Sequence, residues 1–176
     1  YLITGSRFGV LDNDQWIKSL ITFIQALWET QIKTIGICFG HQAMALAMGG
    51  KVDRAPHGWR LGVAETTVIE PSAWMIPYQS HFQVHVSHQD QVLTLPPGGQ
   101  CKAKTAHCPN AIIELGNRFL SFQGHPEFNR LYTQFLIQKR HSLFDKTAYE
   151  SFLQSLSLST DNELLAKWMT RYMGII

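Results

Sequence analysis

The chain is short of charge, short of cysteine and without any long apolar run, and each shortage removes a class of function. Only 16% of its 176 residues are Asp, Glu, Lys or Arg, and 15 basic against 13 acidic residues leave a formal charge of +2. Lys and Arg do not gather into a stripe, so neither nucleic acid nor an anionic membrane surface is an expected partner. No apolar run approaches the roughly 20 residues that a membrane span requires. The three cysteines, Cys38, Cys101 and Cys108, are an odd number. That argues against a disulfide framework and for a reducing compartment, so a cytoplasmic location is the expectation. Cys101, His107 and Cys108 lack paired-ligand spacing, and His81 and His85 stand four apart on an alternating strand, where they would not converge on one ion. No metal and no other cofactor is therefore expected.

What remains is the composition of a compact globular protein. Hydrophobic residues make up 45% of the chain, enough for one substantial core, and a single domain over residues 1–176 is expected.

The most informative stretch runs from Lys33 to Gly50, KTIGICFGHQAMALAMGG. Thr34-Ile35-Gly36-Ile37 reads as a buried parallel strand. His41 to Met48, rich in Ala, Met and Leu, reads as a helix, with Gly49-Gly50 as its C-cap. Between them lies Gly36-Ile37-Cys38-Phe39-Gly40, the Gly-x-nucleophile-x-Gly layout of a nucleophile elbow with Cys in the central place. The turn is sharp, and a Cβ at either flank would meet the neighbouring strand or helix. The helix N-terminus then points at the sulfur, which favours thiolate over thiol. The N–H of Phe39 is placed to face an oxyanion.

Ahead of this stretch, Tyr1-Leu2-Ile3-Thr4 reads as a buried strand at the very start of the chain, which leads us to expect further sequence before Tyr1. Gly5 to Gly9 forms a loop at that strand's carboxyl end, where an open parallel sheet builds its site. Asp12-Asn13-Asp14 offers N-caps, and Ile17, Leu20, Ile21, Ile24, Leu27 and Trp28 mark an amphipathic helix. The opening third is thus strand–helix–strand–elbow–helix, a doubly wound pattern. The middle is β-rich: Leu61 to Ile69, then Phe82, Val84 and Val86 alternating with polar residues. Ser87 to Val92 turns toward the Pro96-Pro97-Gly98-Gly99 loop. Ala111–Leu115 and Arg118–Phe122 flank Gly116-Asn117 as a two-residue hairpin. His57, His81, His85 and His107 are read as surface or structural histidines.

The second informative stretch is Ser121 to Phe128, SFQGHPEF. A strand ends at Gly124, Pro126 keeps His125 out of helical geometry, and a helix follows with Phe128, Leu131, Tyr132, Phe135 and Leu136 in step. His125 and Glu127 therefore fall at a strand's carboxyl end, on the sheet edge that carries Cys38. A cysteine nucleophile needs a base to take its proton and a group to orient that base, and these two residues are of the right kinds.

Gly-Ile-Cys-Phe-Gly-His-Gln at 36–42 and Gln-Gly-His-Pro-Glu at 123–127 resemble the two signatures of class I, triad-type glutamine amidotransferases. Ser87-His88-Gln89-Asp90-Gln91-Val92 resembles that family's intervening Ser-His motif. The resemblance runs from about Tyr1 to Arg140 and is nearest to the stand-alone branch similar to the glutaminase domain of GMP synthetase. It implies an α/β, flavodoxin-like fold: an open, mostly parallel sheet with helices on both faces, an antiparallel β-rich insertion and C-terminal helices. It implies hydrolysis of the glutamine side-chain amide through a γ-glutamyl thioester, with release of ammonia. The roles it implies are nucleophile for Cys38, base and then acid for His125, and orienter for Glu127. Gly5 and Phe39 would supply the oxyanion hole, and Gln42, Ser87 and His88 would hold the substrate.

The chain departs from the family pattern in two places. The family's strand–helix–strand unit ahead of Tyr1 is absent, which suggests a fragment or a sheet completed by another chain, a homo-oligomer included. The oxyanion loop, Thr4-Gly5-Ser6, has one glycine where many members have two. Two other readings stay open: a γ-glutamyl peptidase acting on γ-glutamyl peptides or conjugates, and a catalytically inactive scaffold. No stretch resembles an ATP-binding synthetase domain, so released ammonia would pass to a separate synthase or acceptor protein or to solvent. Beyond the resemblance, residues 141–176 read as two helices, around Tyr149–Leu156 and Leu164–Tyr172, that cover the sheet or a neighbouring helix, a partner-docking surface being the other reading.

Overall fold

The computed structural model describes all 176 residues, Tyr1–Ile176. In chain order the elements are β1 (Leu2–Ile3), α1 (Gln15–Glu29), β2 (Thr34–Ile37), α2 (Phe39–Ala47), β3 (Lys51–Arg54), β4 (Arg60–Val68), β5 (His81–His88), β6 (Asp90–Thr94), β7 (Gly99–Lys104), β8 (Ile112–Leu115), β9 (Phe119–Phe122), α3 (Arg130–Lys139), α4 (Lys146–Ser155) and α5 (Asn162–Met173). Seven strands form one mixed sheet in the order β1-β2-β9-β8-β7-β4-β5, and β3 pairs with β6 in a separate ribbon.

The parallel pairings, β1 with β2 and β2 with β9, carry the strand ends expected to build a site. All remaining neighbours in the large sheet are antiparallel. The strands expected as an inserted β-rich region therefore continue the same sheet. Only β3 and β6 stand apart from it, so Asp90 begins a strand where the sequence suggested a turn. The hairpin between β8 and β9 pairs Leu115 with Phe119, which leaves a three-residue loop and not the two-residue one expected. Gly116 takes a left-handed conformation there, with φ 54°.

Strand β2 is buried at all four positions, because it has a neighbour on each side and a layer over each face. On one face Ile35, Leu120 and Phe122 pack with Leu165, Trp168 and Tyr172 of α5. On the other, Phe119 and Ile113 pack with Ile17, Ile24 and Leu27 of α1 and with Ala43 and Met44 of α2. A third cluster joins α3 and α4 to Leu61 and Val63 of β4. Of the two C-terminal helices, α5 thus covers the sheet, and α4 packs on both β4 and α3.

Two expectations about burial are corrected. Tyr1 and Leu2 are exposed, because β1 is the last strand of the sheet and has a neighbour on one side only. On α3 the buried residues are Thr133, Leu136 and Ile137. Leu131, Tyr132 and Phe135, expected on its packed face, point outward.

Candidate active site

Cys38 is the junction between β2 and α2. Its backbone sits at φ 49° and ψ −98°, a conformation that L-residues seldom adopt. The flanking glycines explain how strand and helix come so close. A Cβ on Gly36 would press on Met44 Sδ and the Gly40 backbone, and one on Gly40 would collide with the Ile3 carbonyl. The Cys38 N–H donates to Phe122 O at 2.8 Å, which pins the turn to the end of β9. As the first residue of α2, Phe39 has its N–H outside the helix's own ladder.

The chain leaves β9 at Phe122 and passes through Gln123 and Gly124 to His125, whose N–H donates to His85 O at 2.7 Å. That bond holds the segment against β5. His125 Nδ1 and Glu127 Oε1 are 2.6 Å apart, with the imidazole buried and the carboxylate half exposed. With Nδ1 occupied, Nε2 is the ring nitrogen open to further proton traffic. The Phe128 ring lies flat on the imidazole, 3.9 Å between centroids and 11° between planes. Burial by itself would lower the His125 pKa. The Cys38 sulfur beside the ring and the Glu127 carboxylate outweigh it and push the value up to about 9.

The remaining residues expected at the site fall into two groups. Gly5 lies against the pair: a Cβ there would stand 3.0 Å from His125 Cε1 and 3.8 Å from Cys38 Cβ. Ser87 presents its carbonyl to the Cys38 sulfur at 4.0 Å. Gln42 and His88 line the same cleft but are deeply buried. The Gln42 amide donates to Asp90 O at 2.7 Å and to Gln123 Oε1 at 3.1 Å, so its donors already tie α2 to β6 and to the segment that follows β9. Neither His88 ring nitrogen has a hydrogen-bond partner. Burial, helped by His125, His41 and Arg60, pulls its pKa down to about 3, and the ring is neutral.

Three groups at the site were not singled out by sequence reasoning. Gln123 donates from Nε2 to Cys38 Sγ at 3.6 Å. Its place in the Gln-Gly-His-Pro-Glu run was the available signal. Phe128 was read only as a helix residue, because nothing in a sequence says that a ring will stack on a histidine three positions earlier. Asp90, in the Ser-His motif, borders the cleft as well. Together these side chains surround an open cleft of about 670 Å³ at the carboxyl ends of β1, β2 and β9, the place where parallel strands build binding sites. No group of three or more His, Cys, Asp or Glu side chains is arranged to hold a metal ion.

The fold and the cleft define an α/β protein with a cysteine on a strained strand-to-helix turn, beside a buried histidine paired to a carboxylate. The sequence profile of the glutamine amidotransferase class-I family matches residues 9–138, and the chain belongs to that family. Gamma-glutamyl peptidase 4 of Arabidopsis thaliana is 33% identical over 135 residues, 74% of this chain and 54% of that relative. The chain thus spans about half the length of such curated relatives. A GMP synthase [glutamine-hydrolyzing] of Aeropyrum pernix is 38% identical over 93 residues, 53% of this chain and 18% of that protein. Among solved structures, a glutamine amidotransferase from Thermotoga maritima superimposes with a TM-score of 0.80 at 18% identity, covering 98% of this chain and 77% of its own. That last likeness concerns the fold.

Proposed function

We propose that the protein hydrolyses the γ-amide bond of glutamine or of another γ-glutamyl compound through a thioester on Cys38. The observation that carries this reading is Cys38 at φ 49° on its turn, beside a buried His125 whose Nδ1 is 2.6 Å from the Glu127 carboxylate. In the first half-reaction the Cys38 sulfur attacks the γ-carbonyl carbon. His125 holds the proton that the thiol has given up and passes it to the leaving nitrogen as the C–N bond breaks. In the second half, water attacks the thioester with His125 as base, and glutamate leaves as the thiol re-forms. Glu127 holds the His125 tautomer and supports its positive charge. The N–H groups of Phe39 and Gly5 meet the oxyanion, each such donor being worth about 3–4 kcal/mol in the transition state.

With glutamine as substrate the leaving group is ammonia. The GMP synthase relative suggests that a separate synthase consumes it. The γ-glutamyl peptidase relatives favour a second reading, in which the leaving group is an amino acid or peptide, and the extent of the cleft beyond Cys38 agrees with it.

The test is covalent labelling with a glutamine-analogue electrophile, read by intact mass and peptide mapping beside a circular-dichroism melt. One adduct, on Cys38 and not on Cys101 or Cys108, is the expected result. A cooperatively melting chain with no adduct would overturn the reading in favour of an inactive scaffold.

A further inference from the structure

The cleft has two ends of different chemistry. Toward Asp90 it is polar, and Arg54 and Asp12 bring both signs of charge to its wall. Toward α3 it is aromatic, with Lys139 and Arg140 at the far edge of the rings. Phe128 lies on His125, Tyr132 meets Phe128 edge-on at 4.7 Å, and Phe135 lies 6.4 Å beyond Tyr132. A ladder of three rings therefore leads away from the imidazole along the helix.

Phe128 packs against the cluster under α3, but the two outer rings are not core residues. Tyr132 is 46% exposed and Phe135 53%, while α3 is anchored to the protein through Thr133, Leu136 and Ile137. Apolar rings held partly in water forgo burial, and a contiguous row of them marks a contact surface. All three line the cleft that contains Cys38. Release of ammonia has no use for such a wall.

The direction of the reaction says what the wall would touch. On the reading given above, His125 delivers a proton to the leaving nitrogen, so that nitrogen departs beside the imidazole. Whatever the nitrogen carries then lies along the wall that starts at that ring, where Phe128 stacks on the imidazole and Tyr132 stands next to Phe128. The amino and carboxylate groups of the γ-glutamyl head take the polar end. We propose that Phe128, Tyr132 and Phe135 form a leaving-group subsite, and that the preferred substrates are γ-glutamyl amides of bulky apolar or aromatic amines. Cys38 Sγ bonds to the γ-carbon, the carbonyl oxygen takes the displaced electron pair, and the C–N bond to that amine breaks as the oxyanion collapses. The amine leaves with the proton from His125, and water later restores the γ-carboxyl and the thiol. Tyr132 and Phe135 are thus specificity residues, and the reacting groups remain those already named.

Steady-state hydrolysis of γ-glutamylphenylalanine, γ-glutamylglycine and glutamine by the full chain tests this. Wild type is expected to favour the phenylalanine compound over the glycine compound by about tenfold or more in kcat/KM, the scale on which an apolar pocket discriminates. Tyr132→Ala should bring that ratio close to one, and Tyr132→Phe, which keeps the ring, should preserve it. Because the readout is a ratio of two substrates on one protein, a general loss of active enzyme cancels. Phe135→Ala, at an exposed position, serves as the second variant and should lower the same ratio. A wild-type ratio near one, with glutamine turned over, overturns this inference and leaves the proposed function standing. A high ratio that survives Tyr132→Ala and Phe135→Ala also overturns it, since the preference would then come from elsewhere. No turnover of any of the three compounds removes the proposed function and this inference with it.

Discussion

At the scale of single residues, the site depends on two contacts that can be cut separately. Cys38→Ala removes the sulfur and nothing else of size, and turnover should fall by on the order of 10⁴-fold or more, read as ammonia or amine release. A circular-dichroism melt should show the variant still folded. Glu127→Gln keeps the shape of the side chain but loses its charge and the tautomer it enforces, and kcat should fall about 10²-fold or more. Since Glu127 is one of the groups that raise the His125 pKa, an NMR titration of the variant should place the His125 midpoint below the wild-type value. An unmoved midpoint would mean that the 2.6 Å contact does not act electrostatically.

At the scale of elements, the turn between β2 and α2 is built around what glycine lacks. Gly40→Ala drives a methyl group into the backbone of β1, so either that strand or α2 must shift. The cost should be about 1–3 kcal/mol, the usual penalty for overpacking, measured by urea denaturation with an unchanged m-value. This turn was legible in the sequence, because glycine spacing around a cysteine reports backbone geometry directly. The strand ends bearing His125 and Glu127 were legible for the same reason, since Pro126 fixes the local chain. The exposed face of α3 was not. Periodicity shows which residues share a face, and Leu131, Tyr132 and Phe135 do share one, but it does not say which face meets the protein; Phe128, expected on the same helix, lies ahead of its N-cap Asn129. Here Thr133, a polar residue bonded through its hydroxyl to His85 Nδ1 at 3.0 Å, sits inward instead. The fates of Gln42 and His88 were equally hidden, because each depends on partners far away along the chain.

At the scale of the whole molecule, the C-terminal helices belong to the core that supports the site. Trp168 is fully buried, meets Trp74 and Phe82 edge-on at 5.9 and 5.5 Å, and donates from Nε1 to Pro77 O at 2.9 Å. Trp168→Ala should therefore cost about 3–5 kcal/mol in denaturant melts, although the residue lies far along the chain from either site motif. Stability should also peak near neutral pH, for two opposite reasons. His41 and His88 are protonated in the unfolded chain below about pH 6.5, yet burial keeps them neutral in the folded protein down to about 3. Acidification from 6.5 toward 3 then removes stability, because the unfolded state binds more protons. His125 acts in the other sense. The folded chain keeps its proton up to about 9, so its contribution is complete below pH 6.5 and is lost as the pH rises through about 9. Thermal melts from pH 4 to 10 should trace a maximum between these limbs, and a melting temperature that stays flat from pH 6.5 to 9.5 would contradict the second.

The positive φ of Cys38 sets stability against activity at a single position. A side chain held in that conformation costs about 1–3 kcal/mol, and only glycine escapes the cost. Cys38→Gly should accordingly melt at a higher temperature than Cys38→Ala, with both equally inert. A population of variants selected for resistance to heat alone would drift toward glycine at residue 38. Persistence of cysteine there over many generations would thus be a signature of selection for chemistry, since selection for folding runs the other way.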